Sequence, residues 1–156
     1  MLTRSEAAAR AAAIPQAAYD IHLNFSAGGE TFRSVTTVTF ETAPGTDTYL
    51  DLVGTARRIT VNGEEMDVAS HRDERIGLTG VSGATTVTVE ADCEYRSDGQ
   101  GIHRFVDPVG GDTYLYSQFA ADDARRAFAC FDQPDIKGTF AFTIDAPGAW
   151  EVISNS

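Results

Sequence analysis

The side chains able to do chemistry are few and poorly grouped. His22, His71 and His103 are the three histidines, and none stands in a His-Glu-x-x-His helix, the spacing that aims two imidazoles at one metal. The sequence therefore predicts no metal site and no catalytic residue in this chain. Cys93 and Cys130, the only two cysteines, fall outside any Cys-x-x-Cys or Cys-x-x-His spacing. They read as free, buried thiols, with a disulfide as the alternative. No Gly-x-Ser-x-Gly elbow supports a serine nucleophile, and Ser82 and Ser97 lie in turns. Glu64-Glu65 and Asp122-Asp123 are paired acids in turns, where carboxylates face water rather than flank a glycosidic bond. His103-Arg104, beside Phe105 in a glycine-bounded segment, has two readings: a structural hydrogen-bonding pair or a functional one.

The elements that must position these groups are mostly strands. Thr3 and Glu6 stand in capping-box spacing before an alanine-rich run, which predicts a short helix over residues 3–13 that is not stable alone. From Tyr19 the period becomes two: Tyr19, Ile21, Leu23 and Phe25 alternate with polar neighbours. Gly28-Gly29 turns the chain into a β-branched run, residues 32–42, that pairs back as a hairpin and is closed by Ala43-Pro44-Gly45. Residues 49–53 and 58–61 follow as strands, and Asn62-Gly63 predicts a hairpin returning through Met66 and Val68. The clearest strand is 85–95, with Val87, Val89, Ala91, Cys93 and Tyr95 on one face. Residues 113–119 and 139–144 are further strands, 122–126 a single helical turn, and Trp150 with Val152 the start of one more strand. The expectation is an all-β fold, an antiparallel sandwich or saddle-like open sheet with a short N-terminal helix: a helical segment over 1–15 and a β-domain over 16–156.

The bulk properties narrow the partners. A net charge of -11, with no basic stripe to track phosphates, argues against nucleic acid. No apolar run approaches the ~20 residues needed to span a bilayer. The N-terminus lacks the apolar middle of a secretory signal, so the expected location is cytoplasmic. The end at Ser154-Asn155-Ser156, directly after strand-like sequence, leads us to expect a chain continuing beyond this point, with an open sheet edge through which isolated copies could self-associate.

Five stretches carry a resemblance. Gly101-Ile102-His103-Arg104-Phe105 is followed by Tyr114-Leu115-Tyr116-Ser117-Gln118-Phe119, then by Ala124-Arg125-Arg126 and Cys130-Phe131-Asp132-Gln133-Pro134. Their order and spacing resemble the N-terminal domain of the aminopeptidase N family, whose patterns are Gln-x-Glu, Ala-Arg and Cys-Phe-Asp-Glu-Pro. The closing Trp150-Glu151-Val152-Ile153-Ser154-Asn155 is similar to the family's Val-x-Ser-Asn run.

The resemblance implies a domain that scaffolds a separate zinc-binding catalytic domain, its principal partner. There zinc polarises the first peptide bond of a peptide substrate and a glutamate activates water. It also implies that Gln118 lines the pocket for the peptide's first residue. Two positions on, where the family commonly has a glutamate for the α-ammonium, this chain has Ala120. Both are carried as candidate substrate-binding residues, and the chain alone is expected to be inactive. Arg125, Asp132, Gln133 and Pro134 have a plainer reading, an arginine–carboxylate pair and a turn fixed against the sheet. The rival to this whole picture is a free-standing β-sandwich module for carbohydrate or protein, with Tyr114, Tyr116 and Phe119 as an aromatic platform.

Overall fold

The structure is a computed structural model describing residues 2–154. It opens with helix α1 (Arg4–Ala13), whose capping box is complete: the Thr3 hydroxyl accepts the Glu6 N–H and the Glu6 carboxylate accepts the Thr3 N–H. Nine strands follow: β1 (Gln16–Asn24), β2 (Thr31–Asp51), β3 (Thr55–Val61), β4 (Glu64–Met66), β5 (His71–Arg72), β6 (Arg75–Glu94), β7 (Gly101–Val106), β8 (Thr113–Gln118) and β9 (Lys137–Asp145).

The large sheet runs β4-β3-β6-β2-β1-β9, with β5 paired to β6, and β7-β8 form a separate two-stranded sheet. The alternation seen in the sequence maps directly onto one buried face. Tyr19, Ile21 and Leu23 of β1, Phe32, Val38 and Phe40 of β2, and Val87, Val89, Ala91 and Cys93 of β6 all point into the core. Burying each large aliphatic among them contributes about 1.5–3 kcal/mol over leaving it in water. The opposite face carries Thr37 against Thr88 at 3.1 Å and an ion-pair network in which Arg33 holds Glu90 at 2.5 Å and Asp92 at 3.2 Å.

Four expectations are corrected. Ala43-Pro44-Gly45 does not end a strand: β2 runs through it, and the register against β6 shifts between Thr42 and Thr48 instead. Proline has no N–H to offer a ladder, so it sits where pairing is interrupted, as a bulge. β6 likewise begins at Arg75, ten residues before the clean alternation, because its early part crosses the same irregular region. The sheet is also mixed: β9 lies parallel to β1, from Gln16↔Lys137 to Asn24↔Asp145. Finally, Trp150 and Val152 belong to no strand; the Trp150 N–H closes a turn onto the Pro147 carbonyl at 2.9 Å.

Covering the buried face is a strand-poor layer. Ala127 to Phe131 are all buried, and Phe131 packs edge-on against Phe40 with ring centroids 5.0 Å apart. Asp51 and Cys130 exchange backbone hydrogen bonds at 2.7 and 3.1 Å, fastening this layer to the end of β2. Helix α1 joins it through Ile14, which is fully buried, and through Arg10, whose guanidinium donates to the Tyr49 carbonyl at 2.7 Å and the Asp51 carboxylate at 2.8 Å.

Candidate functional site

Gln118 ends β8 and begins the connection to the covering layer. The base of the β7-β8 hairpin pairs Gly101 with Gln118. Gly101 has φ +63°, and a Cβ there would come within 2.8 Å of the Arg126 Cβ. Only glycine lets this hairpin base sit down on the 3₁₀ turn Ala124–Arg126. The hairpin and the turn thus bracket a short loop over residues 119–123.

Within that loop the Gln118 Oε1 accepts the Ala120 N–H at 3.1 Å, and both residues are exposed. The structure therefore brings the two candidate residues together, and the arrangement leaves the Gln118 Nε2 hydrogens free to donate to an acceptor such as a peptide carbonyl. Asp122 and Asp123 offer no free carboxylate nearby. Asp122 is paired with the Arg125 guanidinium at 2.9 Å, and buried Asp123 accepts from Arg126 Nε at 2.8 Å.

Aromatic rings connect this loop to the sheet edge. Phe119 meets Phe128 edge-on at 5.6 Å, Phe128 meets Phe142 at 5.7 Å, Phe142 lies 6.4 Å from Phe140, and Phe140 stacks on Tyr19 at 4.7 Å. Phe140 and Phe142 remain 54% and 47% exposed on the outermost strand. Phe105, Tyr114 and Tyr116 are comparably open on the small hairpin.

His103 is occupied structurally: its Nδ1 accepts the Gly99 N–H at 3.0 Å, and its ring stacks on Tyr116 at 4.6 Å. Arg104 donates to the Gly29 carbonyl at 2.7 Å. A shallow cleft of about 310 Å³ beside the 3₁₀ turn is lined by Gly54, Arg57, Asp92, Arg96 and Arg126. Its arginines are paired, Arg57 with Asp92, Arg96 with Asp98 and Arg126 with Asp123. Among the described residues, no group of three or more His, Cys, Asp or Glu side chains is placed to hold a metal ion, so the residues present do not fit a zinc centre. Both cysteines are free and buried; burial pushes the Cys93 thiol up to about 12 and the Cys130 thiol well above its usual range.

Two contacts escaped the sequence reading. Gln133, taken for part of a turn, is buried and donates its Nε2 to the Ala7 carbonyl at 2.8 Å, tying the helix down. Asp132 accepts the Arg125 backbone N–H at 3.1 Å, while the Arg125 guanidinium makes the expected carboxylate pair with Asp122 at 2.9 Å. Only the close spacing of Arg125 and Asp132 hinted at the second, and nothing local pointed to the first.

Comparison with known proteins is specific. Aminopeptidase N of Streptomyces lividans is 48% identical over 99% of this chain, which covers 19% of that protein. Aminopeptidase N of Lactobacillus helveticus is 25% identical over 81% of the chain and 15% of its own length. The chain thus spans about a fifth of the length of these curated relatives or less. Among solved structures, native yeast LTA4 hydrolase superposes with a TM-score of 0.66 at 18% identity, over 83% of this chain and 22% of that one, a likeness of fold. The profile of the Peptidase M1 N-terminal domain matches residues 16–156. On that match and the near-complete alignment with an aminopeptidase N, the chain belongs to the Peptidase M1 N-terminal domain family.

Proposed function

We propose that this chain is the non-catalytic N-terminal domain of a zinc aminopeptidase that releases N-terminal residues from peptides. It scaffolds the catalytic domain of the longer protein and lines part of the substrate pocket through Gln118 and Ala120. The observation that carries this reading is the loop itself. An exposed amide is held by its own loop, with its donors free, on a connection fixed at both ends to rigid elements. In this reading zinc is held outside these residues and supplies the hydrolytic chemistry there. The chain's own part is to orient the first residue of the peptide. The half-exposed Phe140 and Phe142 on an edge strand, and the open rings of β7-β8, support contact with further polypeptide.

The test is hydrolysis of an amino-acid p-nitroanilide series by this chain and by the longer enzyme, with and without a chelator. Activity confined to the longer enzyme and lost to the chelator supports the reading. In that enzyme Gln118→Ala should lower kcat/KM by about tenfold, chiefly through KM, the value of one well-placed hydrogen bond. An unaltered KM would refute the role of Gln118. If no form cleaves, the binding-module reading with Tyr114, Tyr116 and Phe119 replaces it.

A further inference from the structure

The loop that carries Gln118 and Ala120 has two anchors. Upstream it leaves the β7-β8 ladder. Downstream, beyond the Asp123–Arg126 pair and the Phe119–Phe128 contact, the turn is tied to the sheet and covering layer at Arg125: the Arg125 carbonyl accepts the Val53 N–H at 2.7 Å, and the Arg125 N–H donates to the Asp132 Oδ2 at 3.1 Å. Asp132 is itself fastened to the sheet, since its own N–H donates to the Asp51 carboxylate at 3.2 Å. The Arg125 guanidinium adds only outward contacts, to Asp122 at 2.9 Å and Glu74 at 3.9 Å. Of the two ties at Arg125, one is backbone to backbone and the other depends on a side chain.

We propose that Asp132 is a positioning residue for substrate binding: its carboxylate closes the downstream end of the Gln118 loop and is the point from which that loop lifts. The proposal rests on the reading that this loop lines the pocket. The charged and titratable groups around Asp132 come from every neighbouring element. They are Asp51 of β2 with Arg10 of α1 upon it, Tyr19 of β1, Cys130 of the covering layer, Arg125 and Asp122 of the loop and turn, and Glu74 through Arg125. Burial is the largest influence and pushes the carboxyl up to about 6; the Arg125 N–H opposes it, Asp51 pushes the same way, the Arg125 charge opposes, and Asp122 adds a little.

The sign follows from linkage. A carboxyl that titrates at about 6 when the loop is closed, and near 3.8 once solvated, binds its proton more tightly in the closed form. Acid therefore favours closure, and opening grows as pH rises through the interval from about 4 to 6. Between pH 5 and pH 7 the opening equilibrium increases by about tenfold at most, and by about threefold if the carboxylate stays partly hydrated. At neutral pH the loop is closed over an ion that gains water by letting go.

The measurement is amide hydrogen exchange of residues 119–126 in this chain at pH 5 and pH 7, corrected for intrinsic rates, with β1 and β2 amides as the internal reference. A three- to tenfold rise in opening, confined to the loop and abolished in Asp132→Asn, supports the proposal, because asparagine keeps an acceptor but cannot ionise. Unchanged protection in the wild type, or the same rise in Asp132→Asn, overturns it. Should the variant fail to fold, the wild-type pH series alone decides. In the longer enzyme, Asp132→Asn should remove a component of the pH 5–7 dependence of KM while leaving kcat in place. A loop response without a KM response would overturn the link to substrate, whereas a flat loop with Gln118→Ala still raising KM would sink Asp132 and leave the pocket reading standing.

Discussion

Arg10→Ala probes how the N-terminal helix is held. The guanidinium donates to the Tyr49 carbonyl at 2.7 Å and the Asp51 carboxylate at 2.8 Å, and lies 3.8 Å from the centre of the Tyr49 ring. Both partners of the ion pair are almost sealed from water, with side-chain exposures of 6% and 7%. Two charge-assisted hydrogen bonds at about 1.5–3 kcal/mol each, with a cation–π contact of about 1–2 kcal/mol, set a gross loss of about 4–8 kcal/mol. Freeing a long side chain returns about 1.5–2 kcal/mol of entropy. What remains in the variant is a buried Asp51 carboxylate accepting one hydrogen bond, from the backbone N–H of Asp132 at 3.2 Å. Breaking such a pair costs about 3–5 kcal/mol, and we expect the lower end, about 3 kcal/mol, because a helix of this length can lift and let water reach Asp51. Urea titration followed by far-UV circular dichroism measures it. Arg10→Lys, which keeps charge but loses the planar fork, should lie between the two. A loss below about 1 kcal/mol for Arg10→Ala would show that the pair holds nothing in place and that the helix is attached by Ile14 and Gln133 alone.

Gly138→Ala should loosen β9, since a Cβ there would stand 2.9 Å from both the Ala17 carbonyl oxygen and the Tyr19 ring. We expect about 1–3 kcal/mol of destabilisation and faster hydrogen exchange along β9, and an unaltered exchange pattern would contradict the parallel pairing. The two thiols should resist Ellman's reagent in the native protein at pH 8 and both react in urea, because Cys93 at about 12 and Cys130, higher still than usual, present almost no thiolate. Rapid native labelling of either would show that its segment opens.

The strands were legible wherever one face is wet and the other dry. Tyr19, Ile21 and Leu23, or Val87 through Cys93, announce their parity because each polar neighbour really does meet solvent. Legibility failed where geometry departs from period two. Pro44 and Gly45 look like a turn yet sit in a bulge of a continuous strand, since both residues suit either setting. The parallel course of β9 left no trace, because period-two alternation is the same whichever way the neighbour runs. In the candidate loop, Gln118 was singled out by the family resemblance and by no signal of its own, whereas the Asp132–Arg125 and Gln133–Ala7 bonds depend on backbone atoms that every residue possesses. Such partners are chosen by the fold and not by side-chain type.

The parallel pairing of β9 with β1 also bears on how the chain acquires its structure. His22 and Asp145 bond across this pair although 123 residues separate them, whereas β1 meets β2 across a short turn. On a ribosome adding about 5–20 residues each second, β1 waits for roughly 6–25 seconds before β9, its other neighbour, is made. Throughout that interval β1 is a temporary edge, with Ala17, Tyr19, Ile21 and Leu23 awaiting their cover. Long-range closure of this kind gives slow folding and a window for wrong pairings. Asp20, His22 and Asn24, which keep the other face of β1 polar, then serve the nascent chain as guards against a stray strand before they serve the finished domain.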